Sequence, residues 1–235
     1  MSKVSVLIPV KDCENTIKSS LQSVMNQSYQ DFEIILVDNN CQDKTVEIAK
    51  DICKDKLKVF TCNVPGIVPA LNTGLRHCLG EIIARQDGDD VWYEDKLEKQ
   101  VSFMKNNELI QICGTQIKLV DKNGNVIDDN FRYPTDDQQI KSWLLTGRNS
   151  LAHPSVVFRK EILLRVGGYD DSYPIAEDHH MWLRCIRWFN FANLTETLVD
   201  YTSVHNEKYD PKFPLLASEA QYKLLSHSGF IRHVN

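Results

Sequence analysis

The sequence predicts an α/β protein with a mostly parallel central sheet and helices on both faces. Three observations predict this. Short β-branched runs alternate with helical segments through the first hundred residues. Each run is apolar almost throughout, the pattern of a strand buried on both faces. The strands end at polar breaks such as Asp38-Asn39-Asn40 and Asp87-Gly88-Asp89-Asp90, which strand–helix alternation brings to one edge of the sheet.

The elements follow in order. Residues 3–10 read as a buried strand, and residues 15–26 as a helix with Ile17, Leu21, Val24 and Met25 at helical spacing. Residues 32–37 form a second strand. Asp43 can cap a helix carrying Val46, Ile48, Ala49 and Ile52. Residues 57–61 are a short strand. Residues 68–79 are a helix for which Gly80 serves as C-cap, and residues 81–86 form a fourth strand running into Asp87.

The second half changes character. Residues 93–105 read as a helix, 111–120 as a strand and 121–125, Asp-Lys-Asn-Gly-Asn, as a hairpin turn. Residues 140–145 look helical and 155–158 strand-like. Residues 177–188 form an amphipathic helix with acidic residues in its first turn. Residues 189–201 are extended, and 214–225 helical. With no Pro/Gly/Ser linker and no repeat, residues 1–235 are expected to be one domain in two halves, about 1–105 and 106–235.

Composition narrows the classes. The 235 residues are 42% hydrophobic and 25% charged, an ordinary globular balance. The net charge is −5 and basic runs are absent, which argues against nucleic acid as a partner. Seven scattered cysteines, an odd number with no C-x-x-C pair, point to free thiols in a reducing, cytoplasmic setting. The apolar start is too short for a signal peptide. No stretch approaches the roughly 20 apolar residues of a membrane helix, so membrane contact would be peripheral. No G-x-G, no G-x-x-x-x-G-K-[ST] and no G-x-S-x-G occurs, which removes the dinucleotide, P-loop and nucleophile-elbow classes.

The chemistry concentrates in a few residues. Asp87, Asp89 and Asp90 end a buried strand, where adjacent carboxylates repel and resist desolvation unless a cation relieves them. Oxygen ligands suit Mg²⁺ or Mn²⁺; an acidic loop is the plain alternative. Gly88 lets the backbone approach a ligand closely. Asp38 either caps its turn or bonds a nucleotide. Glu177-Asp178 either complement a helix dipole or supply a general base. His179 and His180 diverge by about 100° on a helix and read as ordinary. His205 is either structural or able to reach a metal or diphosphate. His153-Pro154 reads as a turn imposed by proline.

Together these segments resemble the family 2 glycosyltransferases. The resemblance is carried by Val4-Ser5-Val6-Leu7-Ile8-Pro9-Val10, Gln27-Ser28-Tyr29, Phe32 through Asp38, Asp43-Lys44-Thr45, Gly66, Ala70-Leu71-Asn72-Thr73-Gly74 and Gly80 through Arg85 before the aspartates. Downstream it continues with His153-Pro154-Ser155, Val166-Gly167-Gly168-Tyr169-Asp170, Ala176-Glu177-Asp178 and Trp182-Leu183-Arg184. It implies a GT-A fold: a Rossmann-like donor half and a smaller acceptor-side subsheet. It also implies inversion at the anomeric carbon of a nucleotide-diphosphate sugar, expected to be a UDP-sugar, and hexosyl transfer to a glycan, lipid-linked or protein hydroxyl. Pro9, Val10, Glu14, Asp38 and Asn39 would line the nucleotide pocket, together with Asp87, Gly88 and Asp89. Asp89, Asp90 and His205 would hold Mn²⁺ or Mg²⁺, and Asp178 would be the base. The chain departs from the family at Lys11-Asp12, where an aromatic-Asn pair is usual. Asn39 stands where a second Asp is usual, and Leu71 where an Arg is often found near the donor diphosphate. The alternatives are a non-catalytic nucleotide-sugar module and a nucleotidyltransferase. The latter fits poorly because Lys11-Asp12-Cys13-Glu14 lacks glycine and is net acidic.

Overall fold

In the computed structural model, which describes residues 3–130 and 132–203, β1 (Val4–Val10) is buried along its whole length. β2 (Phe32–Asp38) is buried up to its last residue. A strand covered on both faces has no solvent side, hence the continuous apolar runs. With β3 (Leu57–Thr61) and β4 (Ile82–Arg85) they form a parallel set in the order β3-β2-β1-β4. Val10 pairs with Asp38, and Asp38 with Thr61, so these strand ends share one edge. Leu7 pairs with Arg85, and the chain beyond Arg85 leaves at that same edge.

Helices cover both faces. On one, α1 (Ile17–Met25), α2 (Thr45–Cys53) and α4 (Lys96–Asn106) bury Leu21, Val24, Ala49 and Val101 against Val6, Ile8, Ile34 and Leu36. On the other, α3 (Ile67–His77), α5 (Asp137–Leu145) and α7 (Glu177–Cys185) bring Leu71, Leu144 and Trp182 to Leu7, Ile35 and Val37. Each such aliphatic burial contributes about 1.5–3 kcal/mol.

The second half extends the same sheet. β4 pairs antiparallel with β8 (Val157–Arg159), β8 with β6 (Ile110–Val120), and β6 parallel with β9 (Asn190–Thr202). The far edge is β5 (Val91–Trp92), antiparallel to β9. β7 (Val126–Asp128) closes the expected hairpin with β6, and Gly124 takes φ +84° in its turn. The strands of the second half are thus joined to the parallel set through β4 and β8.

Several boundaries differ from expectation. α3 ends at His77, and Gly80 does not cap it. A Cβ on Gly80 would lie 2.6 Å from both Lys3 O and Ser5 N, and Gly80 N–H donates to Ser5 Oγ at 2.8 Å. The glycine permits backbone contact with β1 rather than a left-handed turn. α4 starts at Lys96 rather than 93, because Val91–Trp92 join the sheet and Tyr93 N–H donates to Leu198 O. α7 stops at Cys185, whose carbonyl accepts from both Trp188 and Phe189 as the chain turns toward β9. The expected strand 155–158 is divided between a 3₁₀ turn at His153–Ser155 and β8. α6 (Ile162–Val166) is too short to have left a periodic signal. The helix expected at 214–225 lies outside the described residues. All seven cysteines are free thiols. Among the described residues no helix is long and apolar enough to cross a membrane.

Candidate active site

The aspartate loop is held from three directions. Ser20 Oγ of α1 donates to Asp87 O at 2.7 Å. Gln86 Nε2 donates to Ser20 Oγ and to Asp90 O. From β9, Thr202 N–H donates to Asp90 Oδ1 at 2.7 Å, and Thr202 Oγ1 donates to Asp89 O. Asp90 is only 1% exposed, and burial beside Asp87 and Asp89 pushes its carboxyl well above the usual range. Asp87 and Asp89 stay half-buried. Gly88 packs against the protein itself: a Cβ there would sit 2.7 Å from Cys13 Sγ. Its lack of a side chain seats the loop on β1–α1, where the sequence had suggested close approach to a ligand.

Asp87 is bound to Arg85, whose Nη1 lies 2.6 Å from Asp87 Oδ1. Arg85 is 3% exposed and reaches beneath the loop from β4. Glu177 and Asp178 open α7 on the same side. Glu177 is pushed up to about 8, first by burial and then by Asp178. Asp178 is also raised, burial again dominating, while His179 N–H (2.7 Å to Oδ1) and the charge on Arg85 act the other way. Asp87 raises both carboxyls, so the loop and the acidic pair share one field.

The downstream motifs lock together behind that pair. Asn72 of α3 donates through Nδ2 to Tyr169 O and accepts from Tyr169 N, both at 2.8 Å. A Cβ on Gly168 would meet Asn72 Oδ1 at 2.2 Å, so Gly168 makes room for this clamp. Tyr169 Oη lies 2.9 Å from His153 Nε2, and His153 Nδ1 lies 3.7 Å from Glu177 Oε1. His153 is held neutral by burial and by the charge on Arg85. It is therefore more than a turn residue. His179 and His180 behave as core residues: burial pushes His179 down to about 4, and His180 stacks on Tyr173 with ring centres 3.8 Å apart.

At the other end of the edge, the expected nucleotide residues build a shell from one another. Pro9 and Val10 end β1, and Val10 O accepts from Asn39 N. Asp38 Oδ1 accepts from Cys41 N–H, the turn-capping role. Asn39 commits its amide to the 62–66 segment, donating to Cys62 O and Val64 O and accepting from Gly66 N. Glu14 Oε2 accepts from Lys44 N. Leu71 is fully buried in the core.

Among the described residues, three ligand-type atoms fall within 4.8 Å of one another only at Asp12, Cys41 and Asp43. There Asp12 and Asp43 accept from backbone N–H groups, and Cys41, pushed up to about 11 chiefly by burial, is a protonated thiol. Asp87, Asp89 and Asp90 do not converge in that way: Asp87 turns to Arg85 and Asp90 to Thr202. Magnesium-type sites take one or two protein carboxylates plus phosphates and water, and the half-buried Asp87 and Asp89 fit that demand. Asp90, expected as a ligand, has one oxygen taken by Thr202 N–H. His205, also expected as one, lies outside the described residues.

Arg85 and Thr202 are the residues that the sequence reading did not single out. A cation in a strand otherwise buried and apolar was a usable signal for Arg85. Thr202 had none, because its role depends on the non-local placement of β9.

Comparison with known proteins supplies the family. The glycosyl transferase family 2 model matches residues 5–167. The O-antigen biosynthesis glycosyltransferase WbnJ of Escherichia coli is 34% identical over 218 residues, 88% of this chain and 82% of that protein. Staphylococcus aureus TarS 1–349 in complex with UDP-GlcNAc superposes with TM-score 0.76 at 19% identity, covering 95% of this chain and 66% of that one. The mannosyltransferase PcManGT of Pyrobaculum calidifontis, in complex with GDP-Man and Mn²⁺, gives TM-score 0.69 at 16% identity, covering 100% and 66%. The chain therefore spans about two thirds of these solved structures, whose GT-A architecture it shares. On the family match and the extended likeness to WbnJ, this chain belongs to glycosyl transferase family 2 and is a glycosyltransferase.

Proposed function

We propose that the chain is an inverting transferase moving a hexosyl group from a nucleotide-diphosphate sugar, a UDP-sugar first among them, to an acceptor hydroxyl. The observation that carries this reading is the placement of the half-buried Asp87 and Asp89 on the loop after β4, together with the half-buried acidic pair Glu177–Asp178 that opens α7. On this reading Asp87 and Asp89 would take the cation-bound diphosphate, and Asp178 would be the basic carboxylate.

Asp89, with Asp87 and His205, would hold the divalent ion, and Asp90 would brace the loop from behind through Thr202. When bound, Mn²⁺ or Mg²⁺ neutralises charge on the diphosphate. Pro9, Val10 and Glu14 would shape the nucleotide pocket with Asp38 and Asn39, the last by positioning 62–66 rather than by presenting its amide. Gly88 would act through the seating of the loop.

Asp178 would take the proton of the acceptor hydroxyl as its oxygen attacks the anomeric carbon opposite the leaving diphosphate. The sugar–phosphate bond breaks as the new glycosidic bond forms. A raised carboxylate is a better base than an ordinary Asp, because its pKa lies nearer the operating pH. The name of WbnJ, an O-antigen biosynthesis enzyme, favours a glycan or lipid-linked glycan over a protein acceptor. Free thiols suit a cytoplasmic location.

The test is a panel of UDP- and GDP-sugars with and without Mn²⁺, read by unfolding temperature and by donor hydrolysis. A ligand of the folded state raises stability by mass action, about 2.7 kcal/mol at a hundred times its Kd. We expect metal-dependent stabilisation by one nucleotide class together with slow donor hydrolysis. Stabilisation without turnover would favour the binding-module alternative, and no response to any nucleotide sugar would contradict the reading.

A further inference from the structure

The downstream motif residues meet one another rather than the aspartate loop. The turn at 166–169 is fixed first. Gly167 takes φ +71°, and Arg184, in the last turn of α7, donates to Val166 O and Gly168 O. Asn72 of α3 then clamps the backbone of Tyr169 with two bonds of 2.8 Å. All of these bonds hold the main chain of the turn. The buried side chain of Tyr169 is left to bring its hydroxyl to His153 Nε2 at 2.9 Å.

His153 is the middle of this chain of contacts. Its buried ring lies tilted against Tyr169, centroids 5.6 Å apart, and edge-on to Trp182 of α7 at 6.3 Å, so packing fixes the ring plane. With Nε2 on the Tyr169 hydroxyl, the other nitrogen, Nδ1, stands 3.7 Å from Glu177 Oε1. A neutral imidazole has one N–H and one lone pair, and a phenol both donates and accepts. The Tyr169–His153 pair can therefore offer Glu177 either an N–H or a lone pair, and meets it as a carboxylate or as an acid. At 3.7 Å the two groups lie just beyond hydrogen-bond length, a spacing that site contacts often close when substrate binds.

We propose that Tyr169 and His153 are positioning residues for transfer: the phenol, anchored by Asn72 and Arg184, orients the His153 ring, and the second ring nitrogen steadies the Glu177 carboxyl at the start of α7, beside Asp178. This rests on the role of Asp178 given above. Glu177 and Asp178 are neighbours in the first turn of α7, so a Glu177 side chain held in place steadies the turn on which Asp178 stands. Without the phenol hydroxyl, His153 Nε2 would be a buried polar atom lacking its partner, and the ring would lose the bond that orients it.

The experiment compares Tyr169→Phe, His153→Asn and His153→Leu with wild type in sugar transfer, using the donor identified in the panel, Mn²⁺ and a glycan acceptor. Tyr169→Phe removes one oxygen and keeps the ring. It should lower kcat by about tenfold while KM for the donor stays within about twofold. His153→Asn keeps an amide nitrogen where Nδ1 stands, so it should retain more kcat than His153→Leu. Adding Tyr169→Phe to His153→Leu should cost nothing further, because the two side chains act as a unit. A donor KM that rises in step with the fall in kcat, equal kcat for the Asn and Leu variants, or additive losses, overturns the proposal and leaves the pair a packing contact. If Tyr169→Phe fails to fold, the two His153 variants decide; if those fail, Tyr169→Phe decides on its kcat and KM. A second readout needs no substrate. In protein labelled with ¹⁵N-histidine, Glu177→Gln should move the Nδ1 resonance of His153, and an unmoved resonance overturns the proposal. Failure of the underlying reading looks different: Asp178→Asn would then be active.

Discussion

Gly88 and Glu177 show how much of the site depends on single atoms. A methyl group at residue 88 would collide with Cys13 Sγ at 2.7 Å. Gly88→Ala should therefore displace the aspartate loop and weaken metal-dependent donor binding. Adding Cys13→Ala should recover most of the loss, because the Cys13 side chain is the obstacle; isothermal titration of donor with Mn²⁺ checks this, and an uncompensated double variant would refute it. Glu177 makes a pH-dependent contribution. Its folded pKa of about 8 exceeds the ordinary 4.5, so its contribution is fully present below about 4.5 and is lost as pH rises through 8. Glu177→Gln should gain stability over wild type with rising pH, on the order of a few kcal/mol across that window. Urea unfolding at pH 5 and pH 8.5 measures it, and equal differences at both values would refute it.

Among the elements, strands were easier to read from sequence than helix ends. β1 and β2 were legible because burial on both faces leaves continuous apolar runs. The start of α4 and the end of α7 were not, because the competing bonds Tyr93 N–H to Leu198 O and Trp188 N–H to Cys185 O belong to other parts of the fold. Gly80 suited a helix cap by sequence, yet its place is set by β1, nearly eighty residues earlier. Gly80→Ala, with backbone atoms 2.6 Å from the new methyl, should destabilise the protein by about 1–3 kcal/mol or more, as overpacking does. Denaturant titration tests this. In the site, Asp87 through Asp90 and Glu177-Asp178 were visible as acidic clusters at strand and helix ends. The clamp of Asn72 on Tyr169 and the bond of Thr202 to Asp90 were not, because their partners lie 97 and 112 residues apart.

Across the whole molecule, one sheet carries both halves of the candidate site. β4 delivers Asp87 at the edge of the parallel set and pairs with β8 of the other half, and β9 returns to pin the same loop through Thr202. The fold also buries Lys96 completely, its Nζ 3.9 Å over the Trp92 ring and 2.8 Å from Gln100 Oε1, so burial pushes it down to about 7. A lysine with a depressed folded pKa contributes stability that is present above about 10.5 and lost as pH falls through 7. Lys96→Met should accordingly be more stable than wild type near pH 7, and less so toward pH 10.5, in urea unfolding. The central claim concerns the proposed roles of Asp87, Asp89 and Asp178. Its most direct test is sugar transfer by wild type and Asp178→Asn with the donor identified in the panel, Mn²⁺ and a glycan acceptor. The predicted result is metal-dependent transfer with inverted anomeric configuration, lost by about 10² or more in Asp178→Asn while donor binding persists. Full transfer by Asp178→Asn, or a product with retained configuration, would contradict it.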